Sequence, residues 1–293
     1  MLKGKRAIIT GGARGLGFET ASEFVRQGAD VLICARDGEA LKKAADELSG
    51  MKVSDGQKVI LKRADVAVTT DVDALFDHAL SEFDGNLDVL VNNAGIQGPI
   101  GKFDENDWNA VVDTINVDLI GALYCMRKAV VVFKALASKE GKPSDRCIIN
   151  ISGGGATKAR PYFMAYAVAK TGLVRATDTL AKETVNYGIR VNAIAPGAMK
   201  TRMMDEIIEA GDNAGAEYEL SIERKAGGGD PLTEPACLAA FLASKKAAGI
   251  TGRLISAKWD GWRELDKHGS EIEGTDLYTL RRIVPKDLGL DWE

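Results

Sequence analysis

Histidine is nearly missing from this chain of 293 residues: only His78 and His268 occur. Neither stands near a second ligand type at metal spacing, which argues against a structural metal and against a histidine-based nucleophilic triad. Cysteine is sparse too. Cys34, Cys125, Cys147 and Cys237 show no CxxC spacing, and each lies in an apolar stretch, so they read as reduced thiols packed in a core. There is no cluster of Lys and Arg, and the net charge is −4, so neither nucleic acid nor an anionic membrane is an expected partner. No apolar run reaches the roughly 18 residues that a membrane helix needs. The opening Met1-Leu-Lys-Gly-Lys-Arg6 leads straight into Ala7-Ile-Ile9, without the apolar core of a signal peptide; the expected location is cytoplasmic. No Pro/Ser-rich linker, composition break or internal repeat divides the chain, so residues 1–293 read as a single domain.

What is present is an alternation of short β-branched runs with amphipathic stretches. The candidate strands are Ala7–Thr10, Val31–Ala35, Val59–Leu61, Leu87–Val91, Cys147–Ile151, Arg190–Ile194 and Leu254–Ser256. Between them, Leu41, Ala44, Ala45 and Leu48 form one helical stripe, stopped at Gly50; Val72, Leu75, Phe76, Ala79, Leu80 and Phe83 form another. Apolar strands alternating with helices predict an α/β domain with a Rossmann-like, doubly wound parallel sheet of about seven strands and helices on both faces. Residues 202–230 interrupt the late strands with a polar, partly helical segment, and 263–293 form a C-terminal extension, mostly polar from His268 on. Both are candidate flaps over the strand ends, and 202–230 reads as a substrate lid.

Two motifs carry chemistry. Thr10-Gly-Gly-Ala-Arg-Gly-Leu-Gly17 lies between the first strand and a helix bearing Ala21, Phe24 and Val25. Glycines there permit a tight turn and close backbone approach to a pyrophosphate, whose charge a helix N-terminus favours. Tyr166 and Lys170 are four residues apart, so a helix stacks phenol and ammonium on one face. A nearby cation favours phenolate, drawing a group of ordinary pKa ~10 toward proton exchange near neutrality.

Together with Asp65-Val66, Asn92-Asn-Ala-Gly95, Asn116, Asn150-Ile-Ser152, Arg190-Val-Asn192, Pro196-Gly197 and Thr201, these motifs run in an order that resembles the short-chain dehydrogenase/reductase family, over roughly Lys5–Gly261. The resemblance implies an oxidoreductase that moves a hydride between a nicotinamide cofactor and a secondary alcohol or ketone. Gly11, Arg14, Gly15, Leu16 and Gly17 would hold the cofactor at the turn. Asp65 and Val66 would hold the adenine, and Asn93, Ala94 and Gly95 would line the adenosine. Pro196, Gly197, Met199 and Thr201 would hold the nicotinamide end. Tyr166 would be the general acid/base, Lys170 would hold the ribose and tune Tyr166, and Asn116 would anchor a water linking Lys170 to solvent. A homodimer or homotetramer built on the helices containing Asp107–Lys134 and Tyr166–Tyr187 is implied as well.

At the end of the second strand, Ala35 stands where NAD enzymes of the family place an acid, and Arg36 follows. Arg36 and Arg14 suit a 2′-phosphate, so NADP(H) is expected over NAD(H), with Asp37 as the counter-argument. The clearest departure is Gly153, thirteen residues before Tyr166, where the family has a substrate-binding serine. Three readings compete there. The glycine run could bulge and rotate Ser152 into the site; Thr157 or Tyr162 could donate instead; or the protein could be a catalytically impaired NADP(H)-binding regulatory partner. Trp259 and Trp262 could stack on a ring-shaped substrate or pack an interface or the tail.

Overall fold

The computed structural model describes residues 1–292. Seven parallel strands form one sheet: β1 (Arg6–Thr10), β2 (Asp30–Ala35), β3 (Val59–Arg63), β4 (Val89–Asn92), β5 (Arg146–Ile151), β6 (Ile189–Ala195) and β7 (Leu254–Ser256). Their order is β3-β2-β1-β4-β5-β6-β7, so the winding reverses between β1 and β4. In open sheets of this kind, ligands bind beyond the carboxyl ends of the strands at that reversal.

Pleating divides β1 between two cores. Ile9 packs with Ile33, Phe24 and Leu41 on one face, whereas Ile8 packs with Leu32, Phe76 and Phe133 on the other. Helices α1 (Gly15–Arg26) and α2 (Gly38–Ser49) contribute to the first core; α3 (Thr69–Glu82) contributes to the second. Burying each large apolar side chain stabilises by about 1.5–3 kcal/mol, which is why the apolar stripes rather than helix propensity decide where these helices lie. The expected stripe of α2 is buried as written, at Leu41, Ala44, Ala45 and Leu48.

The second face is completed by α4 (Trp108–Ile115), which runs through a π turn (Asn116–Gly121) into α5 (Ala122–Glu140), and by α6 (Met164–Thr184). The interrupting segment 202–230 holds α7 (Arg202–Glu209) and α8 (Ala216–Ala226), and α9 (Thr233–Ala243) returns to the first core. Cys34, Cys125 and Cys147 are buried and all four cysteines are unpaired. Burial pushes the Cys34 thiol up to about 12, consistent with an inert core role. Among the described residues, no helix is long and apolar enough to cross a membrane.

Beyond α9 the structure departs from expectation. The C-terminal extension is not a flap over the strand ends but a cover for the free edge of β7. The guanidinium of Arg253 donates to the carbonyls of Ile272, Thr275 and Leu277, at 2.6–2.8 Å, and Leu254 N–H donates to Tyr278 O at 2.8 Å. A covered edge has fewer free backbone groups to recruit another strand. Trp262 is buried against Phe241 with ring centroids 5.8 Å apart, while Trp259 is exposed.

Candidate active site

A cleft of about 860 Å³ opens beyond the carboxyl ends of β1 and β4, at the reversal of the sheet. Gly11, Arg14, Gly15, Leu16, Gly17, Arg36, Asp65, Val66, Asn93, Ala94, Gly95, Ser152, Tyr166, Lys170, Pro196, Met199 and Thr201 all line it. Gly197 does not. It stands behind the lining, where a Cβ would come 2.8 Å from the Asp230 carboxylate. Asn116, Thr157, Tyr162, Trp259 and Trp262 are not among the lining residues either.

The glycine turn is welded to β4. Thr10 Oγ1 accepts from Asn93 N–H and Ala94 N–H, both at 3.0 Å, and Asn93 Nδ2 donates to Thr10 O at 2.9 Å. At Gly17 a Cβ would lie 2.2 Å from Gly11 O and 2.4 Å from Asn93 Nδ2, so only glycine lets α1 begin this close to the turn. Gly17→Ala is therefore expected to abolish nucleotide binding and to lower the melting temperature, as read by nicotinamide fluorescence and thermal unfolding. Unchanged binding would mean that the turn is not the cradle.

At one end of the cleft, beyond β2, Asp37 is among the lining residues. Its Oδ1 accepts from Glu39 N–H and Ala40 N–H, both at 3.1 Å, and caps α2; such a cap stabilises by about 1 kcal/mol. Arg36 lies at the rim, 3.8 Å from Asp65, in an exposed pair of little energetic weight.

At the other end, burial pushes the Tyr166 phenol up against the opposing pull of Lys170, and Asp118 adds to the upward shift. Lys170 donates to Ile151 O at 3.2 Å and pairs with Asp118 at 3.1 Å. Asp118 belongs to the π turn, is wholly buried, and also accepts from Ile96 N–H at 2.8 Å. The side chain that meets Lys170 from this turn is thus Asp118 rather than Asn116. A π turn changes which residue of a helix faces a given neighbour, and nothing in Asn116-Val-Asp118 announces one.

Ser152 is buried and its hydroxyl has no hydrogen-bond partner within the protein, although it lines the cleft. Its backbone still donates to Ile194 O at 2.8 Å, so strand pairing persists to this residue without a bulge. The glycines then turn the chain away, with Ala156 N–H donating to Gly153 O at 3.3 Å. The space where a Gly153 side chain would begin belongs to Tyr166: a Cβ there would sit 2.2 Å from its hydroxyl.

Over this end lies α7, whose Met203 and Glu206 line the cleft. The excursion it begins is pinched at its base, where Ala198 N–H donates to Asp230 Oδ2 at 2.7 Å and Asp230 N–H to Ala198 O at 3.0 Å. Farther along, Ile207 and Ala214 pack on Phe163. The Arg160 guanidinium lies 3.9 Å from the Phe163 ring centroid and reaches Glu217 of α8 at 3.4 Å.

Fold and cleft together define a doubly wound, nucleotide-binding oxidoreductase. Residues 5–212 match the family model described as short chain dehydrogenase, and the chain belongs to the short-chain dehydrogenase/reductase family, enzymes acting on alcohol and ketone groups. It is 35% identical over 258 residues to the 3-oxoacyl-(acyl-carrier-protein) reductase FabG of Chlamydia muridarum, covering 87% of this chain and 96% of that one. It is 34% identical over 256 residues to 3beta-hydroxysteroid dehydrogenase 1 of Eggerthella lenta, covering 87% and 92%. The crystal structure of levodione reductase superposes with a TM-score of 0.77 at 25% identity, covering 90% of this chain and 99% of that one.

Proposed function

We propose that this chain is an NADP(H)-dependent oxidoreductase that interconverts a secondary alcohol and a ketone, with Tyr166 as general acid/base. The observation that carries the reading is one cleft lined by the glycine turn, by Tyr166 and Lys170, and by the partnerless hydroxyl of Ser152. The residues fit the dinucleotide: Gly17 leaves the close approach a pyrophosphate needs, and the cleft has room for a nucleotide and a small substrate. When bound, the nicotinamide supplies or accepts the hydride.

The chain's own groups do the rest. Lys170, held by Ile151 O and Asp118, is placed to hold ribose hydroxyls. Tyr166 gives a proton to the substrate oxygen, or takes one from it, and Ser152 Oγ donates to that same oxygen in place of a side chain at 153. Pro196, Met199 and Thr201 hold the nicotinamide end, with Gly197 shaping the loop from behind. Met203 and Glu206 of α7 close over the substrate, making 202–230 a lid whose hinge is the Ala198–Asp230 clamp. Exposed Trp108, Ile120, Val131 and Val168 on α4, the π turn, α5 and α6 suit a homo-oligomer through those helices. The names of the relatives point to carbonyl and hydroxyl substrates.

NADP(H) is favoured because Ala35 offers no acceptor and both Arg14 and Arg36 line the cleft, with Asp37, which caps α2 through Oδ1 and lines the same cleft, as the counter-argument. Losing one charge-assisted contact costs about 1.5–3 kcal/mol. Arg36→Ala should therefore weaken NADP(H) binding roughly 10–100-fold while NAD(H) changes little. A preference for NAD+ in kcat/KM that survives Arg36→Ala would sink the assignment. The function itself is tested by NADPH oxidation against a panel of ketones, with NADPH binding measured separately by fluorescence. Tight binding without turnover on any of them would favour a regulatory nucleotide-binding protein instead.

A further inference from the structure

A carboxylate buried beside the ammonium of a Tyr–Lys pair is chemically unexpected, because it opposes what the ammonium is there to do. Asp118 is 1% exposed, and its side chain lies 3.1 Å from Lys170 Nζ. A Cβ on Gly95 would come within 3.0 Å of its Oδ2 and 3.3 Å of Lys170 Nζ, so even the facing backbone is bare to admit the pair. Ile96 N–H fixes Oδ1 at 2.8 Å, which leaves Oδ2 aimed at the ammonium.

We propose that Asp118 is a positioning residue that cancels the charge of Lys170, keeps Tyr166 as a neutral phenol, and so fits this site to protonate a ketone oxygen rather than to deprotonate an alcohol. The argument does not depend on where the shared proton sits. Carboxylate with ammonium, or carboxylic acid with amine, the pair carries no net charge, whereas a lysine beside a neutral partner would present a full positive charge to the phenol. Three charged groups face Tyr166: Lys170 from its own helix, Asp118 from the π turn, and Arg160 from the loop before α6, its guanidinium 5.8 Å from the ring centroid. With Lys170 cancelled, Arg160 is left as the uncancelled cation, and Glu217 pairs with it from the lid. Burial, reinforced by Asp118, then outweighs the pull that the cations still exert toward phenolate.

The step balances simply. The Tyr166 O–H bond breaks, its electron pair stays on the phenolate oxygen, and the proton forms the O–H bond of the product alcohol. The hydride that reduces the carbon is supplied by a reduced nicotinamide, and solvent returns a proton to Tyr166. The proposal rests on the oxidoreductase reading for its direction, but its electrostatics can be measured without cofactor or substrate.

The experiment is an ultraviolet titration of tyrosinate in the cofactor-free protein, taking the difference between each background and its Tyr166→Phe counterpart. The fold is followed by circular dichroism throughout. In the otherwise unchanged protein, Tyr166 should ionise above the ordinary tyrosine value of ~10 or stay neutral to the end of the folded range. In Asp118→Asn its midpoint should fall by about one pH unit or more, and alcohol oxidation should set in at correspondingly lower pH. Equal midpoints in the two backgrounds would overturn the proposal. If Asp118→Asn does not fold, the native titration decides alone, since ionisation below the ordinary tyrosine value would overturn it. A shifted midpoint with no turnover on any ketone would leave the electrostatics standing and refute the oxidoreductase reading instead.

Discussion

Replacing Tyr166 with phenylalanine is expected to lower turnover roughly 10²–10⁴-fold while leaving NADP(H) affinity within a few-fold, measured as kcat for ketone reduction and as a fluorescence Kd. The separation of the two readouts follows from how the site is held. Only the phenolic oxygen is lost, and the ring keeps its place on the first turns of α6. Lys170 does not depend on that oxygen, since Ile151 O at 3.2 Å and Asp118 at 3.1 Å anchor its ammonium. A ribose held by Lys170 would therefore be held in the variant too. Near wild-type turnover in Tyr166→Phe would mean that another group moves the proton, and the acid/base assignment would fall. Loss of both turnover and binding would mean that the phenol props up the cofactor pocket.

The architecture was readable because one physical signal repeats along the chain. A parallel sheet covered on both faces needs wholly apolar strands, and Ala7-Ile-Ile9 and Val31-Leu-Ile-Cys34 show this plainly. The strand ends were less legible. Leu87 looks like part of β4, but its carbonyl accepts from Arg146 Nε at 3.0 Å and the ladder starts at Val89. A side chain from a distant strand is invisible to local patterning. Asp37 lines the cleft, as its spacing from the glycines leads one to expect, but its second role as the cap of its own helix is not announced by that spacing. Trp262 and the tail could not be placed from sequence because their partners, Phe241 and the edge of β7, come from elsewhere in the chain. The site was legible wherever a motif is short and continuous, as in the glycine turn and Tyr166/Lys170. It was not legible at Asp118, where helix geometry chooses the facing residue. A buried pair of this kind also has consequences for stability: removing one partner leaves an uncompensated charge and costs about 3–5 kcal/mol. Asparagine there incurs that cost as well, but it keeps the volume and the acceptor for Ile96 N–H and so isolates the effect of the charge.

Gly153→Ser is the sharpest test of how this site departs from its family, because it installs the serine that the family resemblance implies there and is expected to lower kcat about 100-fold. A Cβ at 153 would lie 2.2 Å from the Tyr166 hydroxyl, 2.9 Å from Cζ and 3.1 Å from Cε1. Relief requires the ring to retreat by roughly 1 Å, and misplacement of that size at a reacting centre costs on the order of 10²-fold. Retreat is resisted, because Tyr166 is buried between Lys170 on its own helix and the Arg160 that stacks on Phe163. Gly153→Ala separates the two contributions: it brings the same Cβ without the hydroxyl, and should fall as far. Ser152→Ala removes the buried hydroxyl that lines the cleft without crowding the tyrosine, and its loss should appear in kcat with no change in NADP(H) affinity. If Gly153→Ser instead gained activity while Gly153→Ala lost it, the restored hydroxyl would be the better donor. Ser152 would then not be the group that took over the serine's role, and Tyr166 would have to be free to move where the packing holds it still.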